Sequence, residues 1–75
     1  MALVKLVSEV PGTVWKIEAK AGDHVVDGDV VLILESMKME IPIHATMAGV
    51  IRTMLVAEGD YVGDGDAVAD VETDA

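Results

Sequence analysis

The sequence predicts an all-β fold, a small sandwich or barrel whose two halves are related by a quasi-twofold axis. Three observations point there. Turn chemistry is dense: Pro11-Gly12, Ala21-Gly22-Asp23, Asp27-Gly28-Asp29, Gly49, Gly59-Asp60 and Gly63-Asp64-Gly65-Asp66 all read as turns. Between them lie short runs rich in Val, Ile, Leu and Met, and none sustains a helical apolar period. The sequence also repeats itself. A shift of 37 residues lays Gly12 on Gly49, Gly22 on Gly59, Asp23 on Asp60 and Val25 on Val62. The same shift lays Asp27-Gly28-Asp29 on Asp64-Gly65-Asp66, Val31 on Val68 and Glu35 on Glu72. Two copies are too few for a solenoid. They make a closed object in which each half covers the other's apolar face.

The turns cut the chain into four strands per unit. Leu3–Val7 precedes the Pro11-Gly12 turn, and Thr13–Ala19 runs from it to Ala21-Gly22-Asp23. His24–Val25 is a short strand between two Gly-Asp turns, and Val30–Ser36 follows the second of them. The second unit repeats the series as Met39–His44, Val50–Val56, Tyr61–Val62 and Ala67–Glu72. The repeat also fixes the ends. Met37-Lys38 corresponds to the chain termini, Met1 and Ala75, so the twofold sets that turn at the pole opposite both.

Composition narrows the function classes. At 75 residues the chain is one domain, with no room for an ordinary catalytic cleft. A 52% hydrophobic content excludes a disordered tail. The longest apolar run, Val30–Leu34, is far too short to span a membrane as a helix. A net charge of −9 argues against nucleic acid and anionic membranes as partners and suits a soluble monomer. Without cysteine there is no disulfide, thiolate nucleophile or Cys-based zinc site. Met1–Val10 has no secretory pattern, so the expected location is cytoplasmic.

The centre of the chain, Glu35-Ser36-Met37-Lys38-Met39-Glu40, departs from local rules. If Met37-Lys38 is a two-residue hairpin loop, Ser36 opposes Met39, Glu35 opposes Glu40, Leu34 opposes Ile41 and Leu32 opposes Ile43. Alternation then places Leu32, Leu34, Ile41 and Ile43 on one core face, with Ala69, Val71, Val4 and Leu6 as their repeat partners. The register is self-consistent, yet a tight loop wants Asn-Gly or Asp-Gly, whose φ can be positive. Two carboxylates also face each other across the strands. Local rules tend to fail at functional sites, and exposed methionines suit recognition. A longer, looser turn carrying an ordinary solvated lysine is the other reading. A tip offers Lys38 no apolar pocket that would make it a base or a Schiff-base amine, so any chemistry there is delivered from outside.

This segment resembles the biotin attachment motif of biotin carboxyl carrier domains, Ala/Ser-Met-Lys-Met. The resemblance extends through the Pro11-Gly12 start, the Gly-Asp turns and Ala48-Gly49, and the length matches short biotin/lipoyl attachment proteins. It implies a flattened barrel of two four-stranded antiparallel sheets, with the modified lysine on an exposed hairpin. It implies covalent biotin on Lys38, with Glu35, Ser36, Met37, Met39 and Glu40 as recognition residues. The implied partners are a biotin protein ligase, a biotin carboxylase and a carboxyltransferase, and the chain itself is a non-catalytic carrier. Related lipoyl domains carry Asp before the lysine and a small or β-branched residue after it. Met37 and Met39 at those places favour biotin, with a lipoyl arm or an unmodified barrel used for protein contacts as alternatives. Ala19–His24 is matched residue for residue by Val56–Tyr61, so the protruding thumb of some family members is absent. The initial Met favours a complete small protein over an excised domain.

Other residues carry less. His24 and His44 lack metal-ligand spacing, and His24 reads as half-exposed packing beside a turn. Asp64-Gly65-Asp66 with Asp70 and Glu72 fails the calcium-loop pattern and reads as a β-turn equivalent to Asp27-Gly28-Asp29. Ser36 has no nucleophile-elbow context. Trp15, whose repeat partner is Arg52, is expected to be partly exposed and makes no stacking platform alone.

Overall fold

The computed structural model describes residues 2–73. Eight strands follow one another: β1 (Leu3–Val7), β2 (Gly12–Ile17), β3 (His24–Val25), β4 (Val30–Ser36), β5 (Met39–His44), β6 (Gly49–Met54), β7 (Tyr61–Val62) and β8 (Ala67–Thr73). They form two four-stranded antiparallel sheets, β1-β8-β6-β3 (sheet I) and β5-β4-β2-β7 (sheet II). Exchanging β1 with β5, β2 with β6, β3 with β7 and β4 with β8 turns one sheet order into the other. The quasi-twofold read from the repeat is therefore the symmetry of the fold.

The core follows from strand alternation. Val31, Leu32 and Leu34 of β4 and their equivalents Val68, Ala69 and Val71 of β8 are fully buried. Val14 meets its equivalent Ile51 in that class, and Leu6 and Ile43 complete the core from the outer strands. Ile41 and Val4, expected in the core, are only half-buried. Both stand on β5 and β1, which are edge strands and lack a neighbour on one flank. Pro42, also on edge strand β5, has no N–H to offer.

Gly12 and Gly49 lie inside β2 and β6, not in turns. Neither has a positive φ. What they supply is closeness: a Cβ on Gly12 would sit 3.0 Å from the Glu35 carbonyl oxygen, and one on Gly49 2.3 Å from that of Glu72. β2 and β6 also end earlier than the apolar pattern suggests. The N–H groups of Glu18 and Ala19 both donate to the Val31 carbonyl, and that of Leu55 to the equivalent Val68, as the chain leaves each ladder.

The four Gly-Asp turns share one construction. In Lys20–Asp23, Val26–Asp29, Ala57–Asp60 and Gly63–Asp66 the third residue is a glycine with φ between 87° and 98°, as a type II turn requires. The closing Asp is used twice. Its N–H donates to the first residue's carbonyl at 3.0–3.1 Å, and its carboxylate accepts the first residue's N–H at 2.8–3.0 Å. Asp66 is thus committed to its turn as Asp29 is, and the two turns are equivalent. The Lys20–Asp23 and Ala57–Asp60 turns match in the same way.

The molecule measures 37 × 17 × 17 Å. β4, seven residues long, spans about 23 Å at the usual strand rise. The long axis exceeds its longest strands, so the two symmetry-related arms, β4-β5 and β1-β8, extend to opposite ends. Met1 and Ala75 lie outside the described residues. Ala2 and Thr73 mark that far end, where the Thr73 N–H donates to the Ala2 carbonyl at 2.8 Å and the Ala2 N–H to Thr73 Oγ1 at 3.2 Å. No helix among the described residues is long and apolar enough to cross a membrane.

Candidate functional site: the β4-β5 hairpin tip

The hairpin adopts the register that the sequence predicts. Ser36 pairs with Met39, Glu35 with Glu40, Leu34 with Ile41 and Leu32 with Ile43. The loop is the two-residue one, Met37-Lys38, and the looser turn is not formed. Its φ angles are 51° at Met37 and 63° at Lys38, the only positive values at non-glycine positions among the described residues. That is the turn whose twist matches the flanking strands, built from residues that resist it. Holding a side-chain-bearing residue there costs of order 1–2 kcal/mol each. The cost is borne from below, where fully buried Leu34 pairs with Ile41 on one side and Val14 on the other.

Side chains at the tip face solvent. Met37 is 92% exposed and Met39 64%. Lys38, Glu35 and Glu40 are exposed and Ser36 is half-buried. The other cations are spoken for: Lys5 pairs with Asp70 at 3.0 Å, Lys16 with Glu18 at 3.6 Å, Lys20 with Asp23 at 3.9 Å and Arg52 with Glu72 at 3.4 Å. Lys38 is the only Lys or Arg among the described residues without such a partner. The six sequence-predicted residues thus share one tip, with its amine free.

Two features were not legible in the sequence: the closeness of Gly12 to Glu35, and the pairing that sets Trp15, exposed as expected, on one sheet with Tyr61. Gly12 lets β2 run tight against Glu35 beneath the tip, and its close approach has no signature in a single chain. Trp15 and Tyr61 are exposed on β2 and β7 of the same sheet as the hairpin. His24 and His44, on β3 and β5, are exposed and belong to different sheets.

A two-sheet scaffold that presents one unpaired amine on a tight tip is a frame on which a group can be carried. A model of the biotin/lipoyl family, described as "Biotin-requiring enzyme", matches residues 3–71, and the chain belongs to that family. It is 44% identical over 63 residues to the biotin/lipoyl attachment protein of Bacillus subtilis, covering 84% of this chain and 86% of that one. It is 40% identical over 62 residues to the "Biotinylated protein TB7.3 homolog" of Mycobacterium leprae, covering 83% and 87%. The Kluyveromyces lactis urea carboxylase contains a region of the same fold, with TM-score 0.88 and 42% identity, covering 96% of this chain and 6% of that one. This chain is a non-catalytic biotin carrier domain of the type found in biotin-dependent carboxylases.

Proposed function

We propose that residues 1–75 act as one carrier domain that holds biotin as an amide on Nζ of Lys38. The group it ferries is a carboxyl, passed from a biotin carboxylase to a carboxyltransferase. The observation that carries this reading is Lys38 itself, an exposed, unpaired amine at φ 63° in a two-residue turn. Nζ attacks the activated biotin carbonyl presented by a biotin protein ligase. The C–N bond forms, adenylate leaves and Nζ gives up a proton. Bound there, biotin supplies the ring nitrogen that accepts and releases the carboxyl. The chain's own share is placement. The hairpin holds the arm's root at one end of a 37 Å body, and tethering brings the ring to each active site at an effective concentration of order millimolar. Met37 and Met39 give adaptable apolar contacts beside the amine, and Ser36, Glu35 and Glu40 give polar ones. Likeness to one region of a urea carboxylase supports a partner enzyme among the carboxylases.

Intact mass after co-expression with a biotin protein ligase tests the reading. The chain gains one biotinyl group, and Lys38→Arg, which keeps the charge but not the acylatable amine, gains none. Biotin on the Lys38→Arg protein, or a lipoyl mass on the wild type, overturns it.

A further inference from the structure

The quasi-twofold uses one sheet twice, so each outer face is an internal control for the other. Near Ala2 and Thr73, the row across sheet I reads Leu3, Glu72, Val50, His24. Its acids are neutralised within the chain: Glu72 by Arg52 at 3.4 Å, and Asp70 in the next row by Lys5 at 3.0 Å. The equivalent row on sheet II, next to the tip, reads Glu40, Glu35, Thr13, Tyr61. Here both cations are gone; Ile33 stands where Asp70 does, but Glu35 keeps the acid of Glu72 without its Arg. Trp15 stands where Arg52 stands, in the same bulge between paired residues, and Pro42 stands where Lys5 does. Glu35 and Glu40 face each other with no ion-pair partner among the described residues.

Aromatic residues point the same way. The chain has one Trp, one Tyr and no Phe. Neither is in the core: Trp15 is 49% exposed and Tyr61 72%. Tyr61 pairs with Thr13, two residues along β2 from Trp15, and buried Val62 and Val14 set their strands' inward direction. A small domain that must build its core from Val, Ile, Leu and Ala has placed its two largest apolar side chains outside, on one sheet. Aromatic anchors are enriched at the cores of interfaces, and charge at their rims steers the partner.

We propose that the outer face of sheet II, from Tyr61 through Trp15 to Glu35 and Glu40, is the docking surface for the biotin protein ligase that acts on Lys38. The ligase meets it with a basic surface, a guanidinium set against the Glu35–Glu40 pair and apolar side chains packed on Trp15 and Tyr61. Two adjacent uncompensated carboxylates fix the sign of the partner's charge, and arginine's planar fork answers paired carboxylates while stacking on an indole face. Lys16 does not compete, being paired with Glu18 at 3.6 Å. The tip offers the amine, and the face beneath it provides the grip. This inference rests on Lys38 being the acylated residue.

The twofold supplies the variants. Trp15→Arg and Tyr61→His install the residues that sheet I already carries at the same places, so the fold accommodates them. Full-length variants are assayed for biotinylation by purified ligase with ATP and biotin, alongside thermal melting. Trp15→Arg raises the KM for the carrier about tenfold, with kcat within about twofold and an unchanged melt. Glu35→Gln with Glu40→Gln also raises KM and flattens the salt dependence of kcat/KM. Should Trp15→Arg fail to fold, Tyr61→Ala, on a two-residue edge strand, carries the same expectation. A folded variant biotinylated with wild-type KM overturns the docking face and leaves Lys38 standing. A wild-type chain that takes no biotin, or a Lys38→Arg chain that does, overturns both.

Discussion

The Gly-Asp turns and the hairpin tip both need positive φ, and they obtain it in opposite ways. Each of the four turns has glycine at the left-handed position and an Asp that closes the turn with two hydrogen bonds. The tip has Met37 and Lys38 at φ 51° and 63° and, among the described residues, no side-chain hydrogen bond across it to help. Where a turn only joins strands, its residues agree with the backbone. Where the residues are needed as side chains, the backbone conforms to them and the core below holds it. Outliers of this kind persist when their surroundings over-determine them, and they gather at functional sites.

If the core holds the tip, damage beneath it should exceed any damage in the turns. Leu34→Ala, at a fully buried position that pairs with Ile41 and Val14, should cost about 2–5 kcal/mol in denaturant unfolding. A cost under about 1 kcal/mol would mean the tip is not seated on the core. A turn glycine comes next. Nothing lies within 4 Å of a Cβ built on Gly59, whose φ is 95°. Gly59→Ala should therefore cost about 1–2 kcal/mol through its backbone alone. An unchanged melting temperature would remove the contrast between turns and tip.

The same logic reverses at the hairpin. Met37→Asn combined with Lys38→Gly gives the tip the residues its geometry prefers. It should raise stability by about 1 kcal/mol while abolishing biotin uptake. No gain in the melt would mean that Met37 and Lys38 carry no strain. The smallest effect is expected from Met37→Ala and Met39→Ala, exposed positions where stability should stay within about 0.5 kcal/mol and biotin transfer should slow. Unfolding of either variant would place those side chains in the core.

The sequence made the symmetry legible because turn glycines and aspartates answer to local backbone geometry, and the same geometry recurs a fixed distance along the chain. The hairpin register was legible for a similar reason. Leu32, Leu34 and Ile43 must share a face, and a two-residue loop is one that achieves that. What was not legible depends on neighbours from elsewhere. Gly12 and Gly49 resemble turn residues until the carbonyls of Glu35 and Glu72 are seen beside them. Ile41 belongs to a core-facing row, but β5 has no strand beyond it. The loop's conformation ran against the preferences of Met and Lys, and only the packing of Leu34 beneath decides it. Trp15 and Tyr61 lie far apart in sequence, and only the pairing of β2 with β7 makes them one face.

Pro42 has a consequence for timing. An exposed strand edge is an invitation to extend a neighbour's sheet, and main-chain ladders formed that way are slow to come apart. On sheet II one edge is β7, two residues long, and the other is β5, where Pro42 removes a donor midway along the strand. A partner is left to hold this face through side chains. Contacts of that kind are tuned through dissociation, residue by residue. The proposed carrier role, passage from one enzyme to the next, calls for residence times short enough to keep pace with turnover.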